Sequence, residues 1–202
     1  MSREAWIELA LRVLIEEGEE QVKILGLAKR LGVTRGSFYH HFASRQELID
    51  ELLQRWRQQN TVGLVHQASL ETETLAQAIL NVFRCWSSDR HFNPSLDFTV
   101  REWARRSTAV RREVTAADEE RCAALAALYG RFGYSEEEAA VRARILYLVQ
   151  LGYFLLEPVV DPEERLLTVR EYLLAFGGSD VTESDLEAFA DWVRQDSAAF
   201  RS

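Results

Sequence analysis

The sequence predicts an all-α protein, in which an amino-terminal three-helix, helix-turn-helix domain is joined by a long helix to a carboxy-terminal helical domain. Apolar residues recur at spacings of three and four along most of the 202 residues, which is the period of an amphipathic helix. Only three prolines interrupt the chain, and β-branched residues seldom alternate with polar ones as they would in a strand. Apolar residues make up 47% of the sequence, which is typical of a globular fold and too many for a disordered one.

The first predicted helix runs from Ser2 to about Glu17, and Gly18 ends it. One stripe of this helix is apolar and consists of Trp6, Leu9, Ala10, Val13 and Leu14. Because such a stripe packs against neighbouring helices, we expect the first helix to support the segment that follows it.

Residues 24–45 are typical of two short helices joined by a tight turn, followed by the start of a third helix. Gly32 ends the first of them, because glycine adopts the positive φ that a helix end commonly requires. Thr34 stands at the N-cap position of the second helix, where its hydroxyl is expected to accept amide hydrogen bonds. Phe38 and Phe42 are four residues apart and should share the buried face of that helix.

The opposite face of the second short helix is rich in hydrogen-bond donors. Its expected solvent-facing residues are Arg35, Ser37, Tyr39, His40 and His41. Residues 23–45 contain five basic side chains and no Asp or Glu, a local charge of +5, whereas the whole chain has a net charge of −8. A short helix that is buried on one side and basic on the other is what a helix-turn-helix presents to the major groove of DNA.

This segment resembles the amino-terminal signature of the TetR/AcrR transcription regulators. The residues that carry the resemblance are Ala28, Gly32, Val33, Thr34, Gly36, Phe38, Tyr39, His41, Phe42, Arg45 and Leu48. Members of that family often have a hydroxyl residue where the second helix begins, but this chain has Lys23. Lysine can contact a phosphate but cannot cap a helix.

The helix geometry and the matching positions of the signature together assign roles in DNA binding. Arg35 and Ser37 are expected to contact base edges, since arginine pairs well with guanine, and Gly36 lets the backbone come close. Phosphate contacts are expected at Lys23, Thr34, Tyr39, His40 and Arg45. Two alternatives stay open: Arg45 is an exposed arginine paired with Glu47 or Glu16 instead, and His41 is a half-buried, hydrogen-bonded histidine.

Beyond Ser44, a capping box starts a fourth helix that is expected to run towards His66 and to link two domains. The predicted domains are residues 1–45, for DNA binding, and residues 46–202, for effector binding and dimerisation. Within the second, residues 139–156 are apolar nearly all round, so this helix is either central to its domain or packed against a second subunit. The resemblance implies a homodimer, and residues 139–156 and 182–200 are the candidate interface.

The resemblance also implies a small-molecule effector held in the helical core. Polar groups among aromatic residues are the usual composition of such a pocket. The candidate ligand-binding residues are Phe83, Trp86, Phe98, Glu102, Trp103, Tyr129, Tyr147 and Tyr153. For any one of them, a purely structural place in the core is the alternative. The identity of the ligand cannot be inferred from these residues.

Other classes of protein find little support. No glycine-rich phosphate loop, HExxH or GxSxG motif is present, so we predict neither an enzyme nor a cofactor. Cys85 and Cys122 are far apart and lack metal-ligand spacing, which favours buried free thiols in a reducing compartment; a regulatory disulfide or an oxidisable thiol is the alternative. We expect no signal peptide and no membrane span of ~18 apolar residues, and hence a cytoplasmic protein.

The sequence therefore predicts a dimeric transcription regulator that binds a palindromic DNA operator, most simply a repressor released by a small molecule. Two alternatives remain. One is a DNA-binding protein without an effector, whose carboxy-terminal domain binds a protein partner. The other is a helical module that has lost DNA binding, which the basic, acid-free stretch at residues 23–45 disfavours.

Overall fold

The structure, a computed structural model, describes residues 1–88, 90–156, 162–177 and 181–201; for Pro162 and residues 197–201 it describes the backbone alone. The helices, in chain order, are α1 (Arg3–Glu17), α2 (Ile24–Leu31), α3 (Arg35–Tyr39), α4 (Arg45–Arg57), α5 (Gly63–Ser69), α6 (Leu75–Trp86), α7 (Pro94–Ala104), α8 (Thr108–Arg131), α9 (Glu136–Leu156), α10 (Pro162–Leu166), α11 (Val169–Gly177) and α12 (Glu183–Arg201). The described residues contain no strand, which confirms the all-α prediction.

The chain packs as two compact units. The first comprises Met1–Gln59 and Asn93–Ala116, and the second comprises Asn60–Phe92 and Ala117–Ser202. The first unit is larger than the predicted 1–45 domain, because α4, α7 and the beginning of α8 pack with the helix-turn-helix. The predicted boundary after residue 45 therefore differs from the division by packing.

Local sequence signals set the helix ends in the first unit. The hydroxyl of Ser2 accepts a hydrogen bond from the amide of Ala5 at 3.2 Å, and that of Ser44 accepts one from the amide of Glu47 at 3.2 Å. Gly32 ends α2 with a φ of 67°, in the left-handed region that glycine enters without steric cost. These ends fall where the capping residues and the glycine predict them.

The core of the first unit has an aromatic part and a polar part. Phe38 and Phe42 are stacked with their ring centroids 5.1 Å apart, and Trp6 meets Phe38 edge-on at 5.2 Å. On α7, Asp97 is 1% exposed; it accepts one hydrogen bond from the indole Nε1 of Trp56 at 2.8 Å and another from Nε of Arg101 at 2.7 Å. A buried carboxylate requires such partners, and here the bond from Trp56 joins α4 to α7, whereas the bond from Arg101 lies within α7.

The fourth predicted helix is not uniform. After α4, residues Gln58–Val62 form one π-helical turn, and α5 follows at Gly63. Such a turn inserts one extra residue into the helical repeat, which spacing along the sequence does not reveal. Within the second unit, a Cβ added to Gly63 would lie 3.0 Å from the carbonyl oxygen of His91. The backbones of Gly63 and His91 therefore approach each other closely.

In the second unit, α6 begins with a capping box formed by Thr74 and Gln77, and most of its residues are buried. Arg121 on α8 is fully buried, donates to Thr61 at 3.0 Å and to Tyr147 at 2.8 Å, and lies over the ring of Phe92. The buried guanidinium of Arg121 thus has two hydrogen-bond acceptors and one aromatic ring as partners, all within the same unit.

Helix α9 is buried along one face and uncovered along the other. Its buried residues include Ala139, Ala143, Leu146, Tyr147 and Phe154. Its exposed apolar residues, with exposed fractions between 40% and 80%, are Val141, Ile145, Leu148, Val149, Leu155 and Leu156. This set is called the α9 band below. Of the two alternatives given for this helix, coverage on every side within its own domain does not match the exposed band, and packing against a second subunit stays a prediction.

By length and composition alone, α9 could also cross a membrane. An 18-residue window has a mean hydropathy of 1.4, and 28% of it is buried within the protein. This corrects the expectation that no segment reaches the length of a membrane span. One such helix is weak evidence for a membrane, because core helices of soluble proteins often have the same length and composition.

Candidate nucleic-acid interface and ligand cavity

The helix-turn-helix is held from beneath by the aromatic core of the first unit. After the left-handed Gly32, the amide of Val33 donates to the carbonyl of Ala28 at 3.0 Å and so closes the turn. Phe38 is fully buried, which fixes one face of the short helix α3 against the core. The rest of α3 is thereby turned outward, as the sequence predicts.

Donor groups line the outward face of α3. Arg35, Tyr39 and His40 are exposed, and Ser37 is half-buried. Arg35 donates to the hydroxyl of Tyr39 at 3.0 Å, and its guanidinium carbon lies 5.7 Å from the centre of the Tyr39 ring. Because the two residues are four apart on α3, this contact places the Arg35 guanidinium along the helix surface. A guanidinium in that position can donate two parallel hydrogen bonds to an acceptor such as a guanine edge.

Thr34 and Lys23 occupy N-cap positions without capping through their side chains. Neither side chain accepts a hydrogen bond from the described amides of the helix that it precedes. For Lys23 this is expected, since an ammonium has only donors. For Thr34 it corrects the prediction: at α3, only the carbonyl of Thr34 is used, by the amide of Ser37 at 3.0 Å.

Two of the five basic residues at positions 23–45 form ion pairs with glutamates of the same chain. Arg30 donates twice to Glu17, at 2.6 and 2.9 Å, and this hydrogen bonding lowers the pKa of the Glu17 carboxyl. Arg45 forms an ion pair with Glu19. Within the described chain, Lys23, Lys29 and Arg35 form no ion pair and remain as the charged surface that could meet phosphate.

Arg45 also has a structural place that the sequence did not indicate. Its Nε donates to the carbonyl of Val22 at 2.7 Å, and one terminal nitrogen donates to the carbonyl of Glu19 at 3.0 Å. These bonds connect the first turn of α4 to the short segment before α2. The expected alternative, pairing with a glutamate, is the one observed, although the glutamate is Glu19 and not Glu47 or Glu16.

Two other amino-terminal residues are engaged within the first unit. The Nε2 of His41 lies 3.0 Å from the carbonyl oxygen of Met1, to which only a protonated nitrogen can donate. His41 is therefore the half-buried, hydrogen-bonded histidine of the second expectation. Arg3 donates to Glu51 at 2.8 Å and lies over the ring of Phe42.

A cavity of about 70 Å³ lies within the second unit, between α6, α9, α10, α11 and α12. Its lining residues are Phe83, Trp86, Ser87, Val149, Gln150, Tyr153, Arg165, Leu166, Thr168, Val169, Tyr172, Phe176, Phe189 and Val193. The volume is well below the roughly 300–1,000 Å³ of typical ligand sites, so only a small molecule fits without side-chain movement.

The structure brings together some of the predicted ligand-binding residues. Phe83, Trp86 and Tyr153 line the cavity. Tyr129 and Tyr147 belong to the same unit but are buried elsewhere, where Tyr129 donates to the carbonyl of Phe176 at 3.1 Å and Tyr147 donates to Asp118 at 2.6 Å.

The remaining three candidates, Phe98, Glu102 and Trp103, lie on α7 in the first unit and do not line the cavity. Glu102 is exposed and pairs with Arg105 and Arg106. Their role in ligand binding stays a prediction that this cavity does not support, since α7 packs with the helix-turn-helix in the first unit.

Sequence reasoning missed the polar residues of the cavity. Gln150 interrupts an apolar run, and that interruption was the available signal; Arg165 has no comparable signature. The indole Nε1 of Trp86 and the side-chain Nε2 of Gln150 are both buried and have no hydrogen-bond partner among the described residues. Each unmade hydrogen bond of this kind costs about 1–3 kcal/mol.

The two cysteines are free thiols, as predicted, with Cys85 buried and Cys122 half-buried. Burial raises the pKa of the Cys85 thiol to about 12, so it stays protonated at neutral pH. No group of three or more His, Cys, Asp or Glu residues in the described ranges is placed to hold a metal ion.

Comparison with known proteins identifies relatives of the amino-terminal segment and of the whole fold. The model of the family "Bacterial regulatory proteins, tetR family" matches residues 7–52. Over 47 residues the chain is 43% identical to the HTH-type transcriptional repressor KstR2 of Mycobacterium tuberculosis. That match spans 23% of this chain and about a quarter (24%) of the length of the repressor.

Three solved structures share the fold over nearly the whole chain. A TetR-family regulator from Marinobacter aquaeolei VT8 has a TM-score of 0.66 at 12% identity and covers 97% of this chain and 98% of its own. KstR2 of M. tuberculosis has a TM-score of 0.65 at 18% identity, with 90% and 95% covered. AmtR of Mycobacterium smegmatis has a TM-score of 0.63 at 21% identity, with 94% and 92% covered.

Proposed function

We propose that this chain is a member of the tetR family of bacterial regulatory proteins and a sequence-specific, DNA-binding transcription regulator, a repressor released from a palindromic operator by a small molecule. Members of this family are regulators and not enzymes. The observation that carries the proposal is α3: its buried face is fixed by Phe38, and its outward face presents Arg35, which forms no ion pair within the described chain, in a protein of net charge −8.

Within this proposal, Arg35 and Ser37 contact base edges, and Gly36 lets the backbone of α3 approach the groove. A Cβ added at Gly36 would make only an ordinary contact with the Thr34 hydroxyl, at 3.6 Å, so packing within the protein does not require glycine at this position, which supports a role at the groove. The phosphate contacts are Lys23, Thr34, Tyr39 and His40. The Thr34 hydroxyl suits that role because it caps no helix.

Arg45 receives a different role from the one expected. Its bonds to Glu19 and Val22 make it a residue that positions α2 against α4, so we assign its effect on DNA binding to geometry and not to a phosphate contact. Lys29 takes its place as a candidate cation, since it is exposed and forms no ion pair within the described chain.

The test is to select bound sequences from a random duplex pool at ~150 mM salt and then to compare Arg35→Ala with Lys23→Ala on the enriched site. Arg35→Ala should relax the preference at one base pair by about 1–3 kcal/mol. Lys23→Ala should weaken binding on all sequences alike and reduce the salt dependence by roughly one phosphate contact.

Arg30→Ala is the matched control for charge. Arg30 is bound by Glu17, so its removal should change base preference little. If Arg35→Ala instead weakened binding equally on every sequence, Arg35 would contact phosphate and the assignment of base contacts would be wrong. If no sequence were enriched by the wild type, the proposal of a sequence-specific regulator would fail.

We also propose that the protein is a homodimer through the α9 band. The support is the band itself: six apolar side chains on one helix are exposed to an extent that a monomeric protein rarely leaves uncovered. A two-fold dimer would place its two recognition helices on half-sites about 34–36 Å apart, or a multiple of that distance. The predicted contribution of residues 182–200 is less supported, since the exposed residues of α12 include Glu187, Asp191 and Arg194.

Sedimentation at micromolar concentration tests the dimer. We expect the wild type to sediment as a dimer and Leu148→Glu to sediment as a folded monomer, because a charge buried in an apolar interface is costly. Leu167→Glu is the matched control, since Leu167 is 80% exposed and lies outside the band. A monomeric wild type, or recovery of the protein with lipid vesicles, would contradict the dimer.

A further inference from the structure

Two hydrogen-bond donors at the cavity of the second unit lack an acceptor. They are the indole Nε1 of Trp86 on α6 and the side-chain Nε2 of Gln150 on α9; both atoms are buried, and neither has a hydrogen-bond partner among the described residues. Both side chains line the cavity, and Trp86 is only 3% exposed. A buried donor without an acceptor costs free energy, which a ligand that brings an acceptor would recover.

The kind of donor restricts the polar group of the ligand. An indole nitrogen can only donate, so its partner must carry a lone pair. Moving an anion out of water costs far more free energy than neutral N–H donors return. A carbonyl oxygen is uncharged, has two lone pairs and adds no donor of its own. The two nitrogens therefore favour an uncharged ligand with a carbonyl group.

Arg165 also lines the cavity, but its guanidinium is engaged within the protein. Its guanidinium carbon lies 5.0 Å from the centre of the Tyr153 ring and 6.0 Å from that of Phe154, and it makes a further interaction besides. We therefore assign Arg165 no contact with the ligand. The described lining includes no Asp or Glu, so a cationic ligand would find no opposite charge there.

A continuous set of aromatic rings determines the apolar part of the ligand. The ring centroids of Phe83 lie 6.3 Å from those of Trp86 and of Phe176, and Tyr172 stacks on Phe176 at 5.9 Å. All four of these residues line the cavity. Rings that already contact one another offer faces and edges to an apolar or aromatic body placed among them.

The volume limits the size of the ligand. At about 70 Å³ the cavity is roughly half of an engineered 150 Å³ protein cavity that holds benzene. A single ring therefore requires movement of a wall residue, and Tyr172, which is 37% exposed, can turn towards solvent. A polycyclic ligand would require the helices themselves to separate.

We propose that this cavity binds a small, uncharged carbonyl compound, such as a ketone, an ester or a lactone, whose oxygen accepts hydrogen bonds from Trp86 and Gln150. The inference rests on the proposed function only in taking this cavity to be the effector site. It adds the chemical class of the effector, which neither the fold nor the sequence pattern specifies.

The indole N–H signals of the full chain test the hydrogen bond directly. The chain has five tryptophans, and the indole signal that is missing from the ¹H–¹⁵N spectrum of Trp86→Phe belongs to Trp86. We expect acetophenone to move that signal downfield, because its carbonyl accepts the N–H. The control ligand is α-methylstyrene, which has a C=CH₂ group in place of the C=O at nearly the same shape and should cause no such downfield shift. A Trp86 signal that responds equally to both, or to neither, would overturn the proposal.

Calorimetric titration with the same two compounds and with benzoate tests the class of ligand. We expect acetophenone to bind roughly fivefold or more tightly than α-methylstyrene, which is the ratio for about one net hydrogen bond. Equal binding of the two would overturn the hydrogen-bonding role of the carbonyl. Benzoate that bound as tightly as acetophenone would overturn the choice of an uncharged ligand.

Variants locate the two donors. Trp86→Phe and Gln150→Leu should each reduce the ratio of acetophenone to α-methylstyrene affinity, even where the added space changes both affinities. Trp103→Phe and Gln54→Leu are the matched controls, since they make the same substitutions in the first unit, away from the cavity, and should leave the ratio unchanged. An undiminished ratio in folded Trp86→Phe would overturn the assignment.

Binding of the same preparations to DNA separates this inference from the proposed function. An enriched operator together with no binding of acetophenone would overturn the inference and leave the regulator intact. Binding of acetophenone through Trp86 without any DNA enrichment would support the inference and contradict the regulator. Release of operator DNA by acetophenone, with no release by α-methylstyrene at the same concentration, would support both.

Discussion

The buried carboxylate of Asp97 in the first unit and the buried donors at the cavity of the second unit differ in how far their hydrogen bonds are made. In the first unit, both oxygens of the buried Asp97 carboxylate are used, one by Trp56 and the other by Arg101. In the second, Trp86 and Gln150 present buried donors that have no partner among the described residues and that line a cavity. The first arrangement fixes a buried carboxylate between two donors, whereas the second leaves donors that, under the proposed function, an effector could use.

The first unit also contains an unpartnered indole nitrogen, that of Trp6, but its surroundings differ. The Trp6 ring is fully buried and packs edge-on against Phe38 in the aromatic core. Trp6 does not line the cavity described above. The contrast therefore lies in whether an unused donor faces an open volume.

The largest effect is expected from removing the Asp97 carboxylate, which accepts hydrogen bonds from Trp56 and Arg101. Asp97→Ala removes the acceptor of Trp56 and leaves the Arg101 guanidinium without its carboxylate, so we expect the free energy of unfolding to fall by about 3–5 kcal/mol. Chemical denaturation of the variant measures the change in the free energy of unfolding, and a separate titration measures the effect on operator binding.

Asp97→Asn is the matched control, because an amide oxygen can still accept the indole hydrogen bond. It should lose clearly less stability than Asp97→Ala. If the two variants were equally stable, the hydrogen bonds to Asp97 would not be what holds α4 to α7.

A second prediction makes the same substitution in both units. Trp56→Phe and Trp86→Phe remove similar volume, but the first deprives Asp97 of a donor and the second deletes a donor that has no acceptor. We expect Trp56→Phe to be more destabilising by about 1–3 kcal/mol. Thermal and chemical unfolding of both variants give the comparison, and equal losses would remove the distinction between the two units.

The smallest effect concerns an ion pair at the surface of the first unit. The hydrogen bond from Arg3 lowers the pKa of the Glu51 carboxyl. A lowered pKa in the folded state stabilises the protein above the unfolded pKa of about 4.3, and that stabilisation is lost as the pH falls through the folded value. Because Arg3 is largely exposed, we expect Glu51→Gln to cost only about 0.2–1 kcal/mol at pH 7.

The difference between wild type and Glu51→Gln should shrink as the pH falls below the unfolded pKa of about 4.3, and it should vanish once the pH lies below the lowered pKa of the folded state. Glu8→Gln is the control, since Glu8 is exposed on the same α1 that holds Arg3 and forms no ion pair within the described chain. A difference that stayed constant between pH 7 and pH 3 would show that charge is not its origin.

The sequence predicted the helix-turn-helix well because its signals are local. Gly32, Ser44 and the spacing of Phe38 and Phe42 act within a few residues of themselves, so their effects can be derived without knowledge of the fold. The pairing of Arg30 with Glu17 joins side chains 13 residues apart, and that of Arg45 with Glu19 joins side chains 26 apart. These tertiary ion pairs involve Arg30 and Arg45, two of the five basic residues that the sequence analysis had counted towards the DNA-binding surface.

The cavity was predicted only in part for the same reason. Phe83 and Trp86 lie on one strongly apolar helix and could be found, whereas Arg165 joins them only through the packing of α10. Trp103 has the same composition signal as Trp86 but lies in the other unit. Aromatic content identifies candidate residues for a pocket, but it does not say which of them share a volume.

The close approach at Gly63 has a consequence for how the gene tolerates mutation. Any codon change that adds a side chain places a Cβ 3.0 Å from the carbonyl of His91, and a backbone atom cannot move aside as a flexible side chain can. Gly26 and Gly130 have nothing within 4 Å of the same atom, and alanine there would raise helix propensity by about 1 kcal/mol. In a saturation mutagenesis library, we expect Gly63 to stand out as depleted of nearly every variant, while alanine at Gly26 and Gly130 persists.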